Sequence, residues 1–198
     1  MAFDPQSSAR ARRAPARARF AVAVSRFHEE LTGAMLASAT RELEACGVDP
    51  RSVRVVRVPG AFELPIVARA LARRRDVDAV LCLGLVLKGE TDHDRWVAAG
   101  TVQGLVAAAL EADKPVLFGV LTCATLEQAR QRALPPELGG RQDKGREVAR
   151  AALETLAALA EAREAPARKP RAGGVRPSAK RPARKPARAG RAAAGGRR

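Results

Sequence analysis

Residues Phe20 to Ser25 (FAVAVS) form an unbroken run of small apolar side chains. Such a run predicts a strand buried on both faces, the pattern of a parallel sheet. Polar sequence follows, and then Leu31, Met35, Ala39 and Leu43 recur at helical spacing, which predicts a helix from about Glu29 to Cys46. Gly47 supplies its stop signal. The alternation repeats three times. Val53 to Val58 predicts a second strand, and Pro59-Gly60 turns the chain into a helix carrying Leu64, Val67, Ala68 and Leu71. Ala79 to Leu87 (AVLCLGLVL) predicts a third strand, followed by the polar loop Lys88 to Asp92 and a long helix from about His93 to Ala112. Val116 to Leu121 (VLFGVL) is the fourth strand, followed by a short helix near Leu126 to Ala133 and a loop rich in Pro and Gly. A last helix runs from about Lys144 to Ala162, with Val148, Ala152, Leu156 and Leu159 on one face.

Four apolar strands alternating with helices require right-handed crossovers, and so predict an α/β fold with a four-stranded parallel sheet between helix layers. Ligands of such sheets bind at the carboxyl ends of the strands. Unusual residues gather there: Arg26-Phe27-His28 after the first strand, Pro59-Gly60-Ala61-Phe62-Glu63 after the second, Lys88 to His93 after the third and Thr122 after the fourth.

Charge divides the chain into three parts. The net charge of +15 suggests a nucleic-acid binder, yet residues 165–198 hold twelve basic residues and no acid, and residues 1–19 hold five against Asp4. With +12 and +4 at the ends, residues 20–164 carry −1 and form an ordinary near-neutral domain. The segment 1–19 lacks periodicity and is expected to be disordered or weakly attached. The segment 165–198, which repeats Pro, Ala, Lys and Arg, has no core-building composition and is expected to be a disordered basic tail. No apolar run approaches the roughly 18 residues of a membrane span, so a cytoplasmic protein is expected. Cys46, Cys82 and Cys123 fit neither a disulfide framework nor a zinc site and read as small core residues, with a reactive thiol as the alternative for Cys123. Two histidines, His28 and His93, without a Cys/His pairing at ligand spacing argue against a metal site.

Several residues admit two readings. Phe27 and Phe62 are either hydrophobic plugs at strand ends or a stacking surface for a flat ring, and two of only six aromatics falling on the ligand edge favours stacking. His93 opens a helix and is either an exposed first-turn residue or a proton shuttle, for which imidazole has the suitable pKa. Gly89, Glu90 and Thr91 precede that helix and suit a phosphate through their backbone N–H groups, although the Glu90 side chain opposes an anion. Glu63 is a dipole-favoured first-turn acid or a polyol ligand. Arg132 and Lys144 bracket the loop Leu134 to Asp143 and by themselves read as surface charges.

At these residues the sequence resembles the 6,7-dimethyl-8-ribityllumazine synthases of riboflavin biosynthesis. The matching pieces are Arg26-Phe27, Val58-Pro59-Gly60-Ala61-Phe62-Glu63-Leu64-Pro65, and Gly84 through Lys88-Gly89-Glu90-Thr91 to His93. Pro115 to Thr122, Glu127-Gln128-Ala129 with Arg132-Ala133, and Lys144-Gly145 complete the set in order. The resemblance implies a three-layer αβα, flavodoxin-like fold. It also implies an enzyme that condenses 5-amino-6-ribitylaminouracil with 3,4-dihydroxy-2-butanone 4-phosphate, without a metal or organic cofactor. Carried over by motif, Phe27 stacks on the pyrimidine, backbone groups around Val86 and Leu87 read its edge, and Ala61, Phe62 and Glu63 hold the ribityl chain. Gly89, Glu90 and Thr91 bind the phosphate with Arg132 as counter-charge, and His93 moves protons. Phe118, Arg132 and Lys144 approach from a neighbouring subunit, so the implied assembly is a homo-pentamer with sites between subunits.

Some positions depart from the family pattern. Asp94-Arg95-Trp96 displaces by one position the acid that commonly follows the histidine, and His28 replaces a small polar residue, which places it toward the ribityl chain. The segment between Arg132 and Lys144 is longer than common and contains Pro135-Pro136, which favours a pentamer over a sixty-subunit shell. The segment before Phe20 lacks the β-prone sequence that family members often add to a neighbour's sheet. Weak non-specific nucleic-acid binding by the tail is the functional alternative to a solubilising appendage, and a non-catalytic, nucleic-acid-associated oligomer is the alternative to the enzyme. The retained Phe27, Glu63, His93, Phe118, Arg132 and Lys144 favour the enzyme.

Overall fold

A computed structural model of the chain describes residues 17–164. The expectations for residues 1–16 and for the tail 165–198 lie outside the described residues. The elements run β1 (Phe20–Ser25), α1 (Glu29–Ala45), β2 (Val53–Val58), α2 (Leu64–Ala72), β3 (Ala79–Leu87), α3 (His93–Ala112), β4 (Val116–Cys123), α4 (Leu126–Ala133) and α5 (Lys144–Arg163). Short 3₁₀ turns at Pro50–Ser52, Ala61–Glu63 and Pro136–Leu138 join them. The four strands form a parallel sheet in the order β2-β1-β3-β4, with Ser25 beside Val58, Val24 beside Leu83 and Leu87 beside Cys123.

Strand alternation sorts the core into two layers. Phe20, Val22 and Val24 of β1 and Leu81, Leu83 and Leu85 of β3 pack with Leu31, Met35 and Leu43 of α1 and Val148 and Leu153 of α5. The opposite face presents smaller side chains, Ala21, Ala23, Val80 and Cys82, and receives Leu64, Ala68 and Leu71 of α2 and Leu105 of α3. Both faces of β1 and β3 are therefore covered, which explains why those strands read as continuous apolar runs. β2 is an edge strand, and Arg54, Val55 and Arg57 are exposed on it.

Local signals account for most boundaries. Helix α1 ends in a Schellman motif: Gly47 takes φ 92°, Val48 N donates to Leu43 O at 3.0 Å and Gly47 N to Glu44 O at 2.9 Å. Strand β4 runs two residues beyond the expected Leu121, because the ladder with β3 continues through Thr122 and Cys123 even though the apolar pattern stops. Packing also starts ahead of Phe20. Ala18 is buried, Arg19 N donates to Asp78 Oδ2 at 2.8 Å, and Asp78 N donates to Arg19 O at 2.8 Å. These contacts attach residues 18 and 19 to the approach to β3, where the sequence suggests a loose arm. Among the described residues no helix is long and apolar enough to cross a membrane.

Candidate active site

The carboxyl ends of β1, β2 and β3 open onto a cavity of about 430 Å³. It is lined by Phe27, His28, Gly60, Ala61, Phe62, Glu63, Leu85, Val86, Leu87, Gly89, Thr91, His93, Asp94 and Val97. Each wall follows from a local constraint. Beyond β1, Arg26 N donates to Val58 O at 2.9 Å and Phe27 N to Pro59 O at 3.1 Å, which fastens the turn to the end of β2. His28 then adopts a left-handed conformation with φ 59°, an uncommon state for a residue with a β-carbon. Its carbonyl accepts from Leu31 N at 2.9 Å and Thr32 N at 3.1 Å, while Thr32 Oγ1 donates to Ser25 O at 2.7 Å. This over-determined turn holds Phe27 out of the core with 66 % of its surface exposed.

Glu63 Oε2 accepts from Gly60 N at 2.8 Å, so one carboxylate oxygen is committed to the backbone and fixes the side chain at the cavity wall. Phe62 lies against Gly100 of α3, where a β-carbon would stand 2.9 Å from the ring. Thr101 Oγ1 donates to Ala61 O at 3.1 Å and ties the same turn to α3. The first turn of α3 carries His93 and Asp94 into the lining, and no side chain caps it. Backbone N–H groups at this helix start are thus open to an anion, and the helix dipole points the same way. Asp92 instead lies 3.9 Å from Arg95 in an exposed pair.

A model of the 6,7-dimethyl-8-ribityllumazine synthase family matches residues 17–160. The 6,7-dimethyl-8-ribityllumazine synthase of Thermus thermophilus is 46 % identical over 142 residues, which cover 71 % of this chain and 87 % of the relative. The chain belongs to the 6,7-dimethyl-8-ribityllumazine synthase family. The enzyme of the same name from Frankia casuarinae is 49 % identical over 141 residues, 71 % of this chain and 85 % of the relative. The Caulobacter vibrioides protein named 6,7-dimethyl-8-ribityllumazine synthase 1 is 41 % identical over 150 residues, 76 % of this chain and 95 % of the relative. The layered parallel α/β architecture expected of a lumazine synthase family member is the one observed.

Of the residues singled out in the sequence, Phe27, Ala61, Phe62, Glu63, Val86, Leu87, Gly89, Thr91 and His93 meet in this one cavity. Glu90 stands exposed in the same loop but does not line it. Phe118 on β4, Arg132 on α4 and Lys144 at the start of α5 lie outside it. In this lumazine synthase family member Phe118 is 45 % exposed, Arg132 Nη1 donates to Gln128 O at 3.1 Å, and Lys144 pairs with Glu147.

His28, placed toward the ribityl chain by the resemblance, also lines the cavity, and Gly60, Leu85, Asp94 and Val97 complete the lining without having been named as site residues. Val97 lies one helical turn beyond His93, so the i,i+4 spacing on the helix that opens at His93 could have found it. Asp94, noted only as a displaced acid, is the carboxylate that the structure puts into the cavity beside His93. All three cysteines are buried and free. Burial pushes the Cys123 thiol up, opposed in part by Arg132. A buried thiol held up in this way is the reverse of an activated thiolate, which favours the core reading of Cys123. Burial likewise pushes up the Cys82 thiol in the middle of β3.

Proposed function

We propose that this protein catalyses the condensation of 5-amino-6-ribitylaminouracil with 3,4-dihydroxy-2-butanone 4-phosphate to 6,7-dimethyl-8-ribityllumazine, releasing inorganic phosphate and water. The observation that carries the reading is one cavity uniting an exposed aromatic ring, Phe27, a backbone-anchored carboxylate, Glu63, and an imidazole, His93, at an uncapped helix start. Phe27 stacks on the pyrimidine, backbone groups near Val86 and Leu87 read its edge, and Ala61, Phe62 and Glu63 hold the ribityl chain. The phosphate sits at Gly89, Glu90 and Thr91 before α3, with the Glu90 side chain outside the cavity. His93 carries protons during imine formation, phosphate loss and ring closure. The aromatic diamine is already nucleophilic and phosphate is already a good leaving group, so holding two substrates together supplies much of the acceleration.

Phe118, Arg132 and Lys144 serve a neighbour's cavity in this reading, since their own chain's cavity does not include them. The assembly is a homo-pentamer. An exposed apolar stripe on α3, Val102, Val106 and Leu110, recurs every four residues and offers a seam between copies. The loop between α4 and α5 is longer than in the common family form, which favours a pentamer over a closed shell. Purified full-length protein mixed with both substrates is expected to generate the lumazine chromophore and to sediment as a pentamer. An assembled, folded protein that produces no chromophore would reject the reading.

A second reading concerns the tail alone. The excess of basic residues in 165–198, with no acid among them, supports weak, sequence-independent contact with nucleic acid.

A further inference from the structure

Lys144 opens α5, and under the function proposed above its amine must reach a cavity belonging to another subunit. A flexible helix start would deliver it imprecisely. The structure instead anchors that start on three sides. Asp143, the residue before it, is only 7 % exposed. Its Oδ1 accepts from Arg146 N at 3.0 Å and caps α5, while its Oδ2 accepts from Ser38 Oγ of α1 at 2.6 Å. Ser38 is itself buried. Arg146 Nε lies 3.4 Å from Asp143 Oδ2 and 3.6 Å from Glu42 Oε2, so the same charges continue along α1. Gly145 supplies the second anchor: a β-carbon there would stand 2.1 Å from Met35 O, so the first turn of α5 rests directly on the backbone of α1. The third anchor lies in the preceding loop, where Arg141 N and Gln142 N both donate to Gln131 O, at 2.8 and 2.9 Å.

An ordinary helix cap is an exposed side chain using one oxygen. Burying a full carboxylate is costly unless each oxygen is bonded, and here both are. We infer that Asp143, clamped by Ser38, is a positioning residue that fixes the start of α5 so that Lys144 enters the neighbouring cavity at one place. The inference rests on the proposed function, because it gives Lys144 a substrate to meet. Ser38 and Asp143 touch neither substrate nor the reacting atoms and act only through Lys144.

A double-mutant cycle on the full-length protein tests it, with Ser38→Ala, Lys144→Ala and the pair. Ser38→Ala is expected to raise about tenfold the KM of whichever substrate loses affinity in Lys144→Ala, while leaving the KM of the other within about twofold. In the Lys144→Ala background the same substitution is expected to add nothing, since the group it positions is gone. Additive effects, or equal rises in both KM values, would overturn the inference in favour of a general structural role. Should Ser38→Ala fail to assemble, Asp143→Asn keeps the cap on Arg146 N, removes the charge and carries the same cycle. A wild type that forms no lumazine overturns the functional reading and this inference together, whereas an active wild type with additive effects overturns this inference alone.

Discussion

Phe27 leaves Gly60 little room for a side chain in the cavity lining: a β-carbon on Gly60 would stand 3.0 Å from Phe27 Cδ2 and 3.1 Å from Glu63 Oε2. One added methyl group therefore crowds the Phe27 ring and the anchored carboxylate together. Gly60→Ala is expected to lower kcat/KM by roughly 10- to 100-fold, with the KM for the pyrimidine substrate carrying most of the change. The fold should survive, since both neighbours are at the solvent edge. Steady-state kinetics with thermal melting checks this; unchanged kinetics would show that the ring and carboxylate move aside freely.

His93 lines the cavity at the start of α3 and carries protons in the mechanism proposed, in which positioning supplies much of the rate. His93→Ala is expected to reduce kcat by about 10- to 100-fold, at or below the lower limit usual for general acid–base groups, without abolishing turnover. The rate of chromophore formation, compared with the same substrates without protein, measures it. A fall to the uncatalysed rate would show that proton transfer outweighs positioning.

The strands were legible because β1 and β3 are covered on both faces, so burial wrote itself as unbroken apolar runs such as Phe20 to Ser25. The end of β4 was not, because Thr122 and Cys123 join the ladder through backbone groups that side-chain pattern does not report. Site residues after each strand were legible by topology, since a parallel sheet collects them at one edge. The left-handed turn at His28 has no signature of its own in the sequence, where glycine or asparagine would have announced it. Least legible was the bond between Ser38 and Asp143, which joins residues 105 positions apart. Each alone reads as an ordinary polar helix or cap residue.

Gly145 has no room for a side chain, because the atom its β-carbon would meet at 2.1 Å is the main-chain oxygen of Met35 rather than a flexible group. Relief would require α5 to move off α1. Gly145→Ala is expected to destabilise the fold by about 1–3 kcal/mol, the usual range for overpacking. Chemical denaturation of the variant against the wild type reads this directly. A neutral result would mean that the two helices separate at little cost.

The basic tail reads first as a solubilising appendage, and its alternative reading predicts binding to duplex DNA that weakens steeply as salt rises, because each neutralised phosphate releases condensed counterions. A chain ending at residue 164 is expected to lose this binding and to form lumazine as fast as the full chain. Fluorescence anisotropy with labelled duplexes of different sequence, over a salt series, gives the measurement. Binding that ignores salt, or that is absent at low ionic strength, removes the nucleic-acid reading.

If Arg132 and Lys144 serve a neighbour's cavity as proposed, two damaged chains can repair each other, which no single-chain site allows. A Phe27→Ala subunit has a damaged cavity but intact Arg132 and Lys144, and an Arg132→Ala subunit has the converse. Each homogeneous assembly is then crippled at every site. In randomly mixed rings an interface is intact when the Phe27→Ala chain lends its Arg132 to the cavity of an Arg132→Ala neighbour, which happens at about one interface in four for equal amounts. Co-expression of the two variants is therefore expected to restore about a quarter of the wild-type activity per subunit. Mixing them after separate assembly should restore little until the rings exchange subunits. Failure of the co-expressed rings to recover any activity would mean that Arg132 serves the cavity of its own chain, and would require α4 to move toward that cavity when substrate binds.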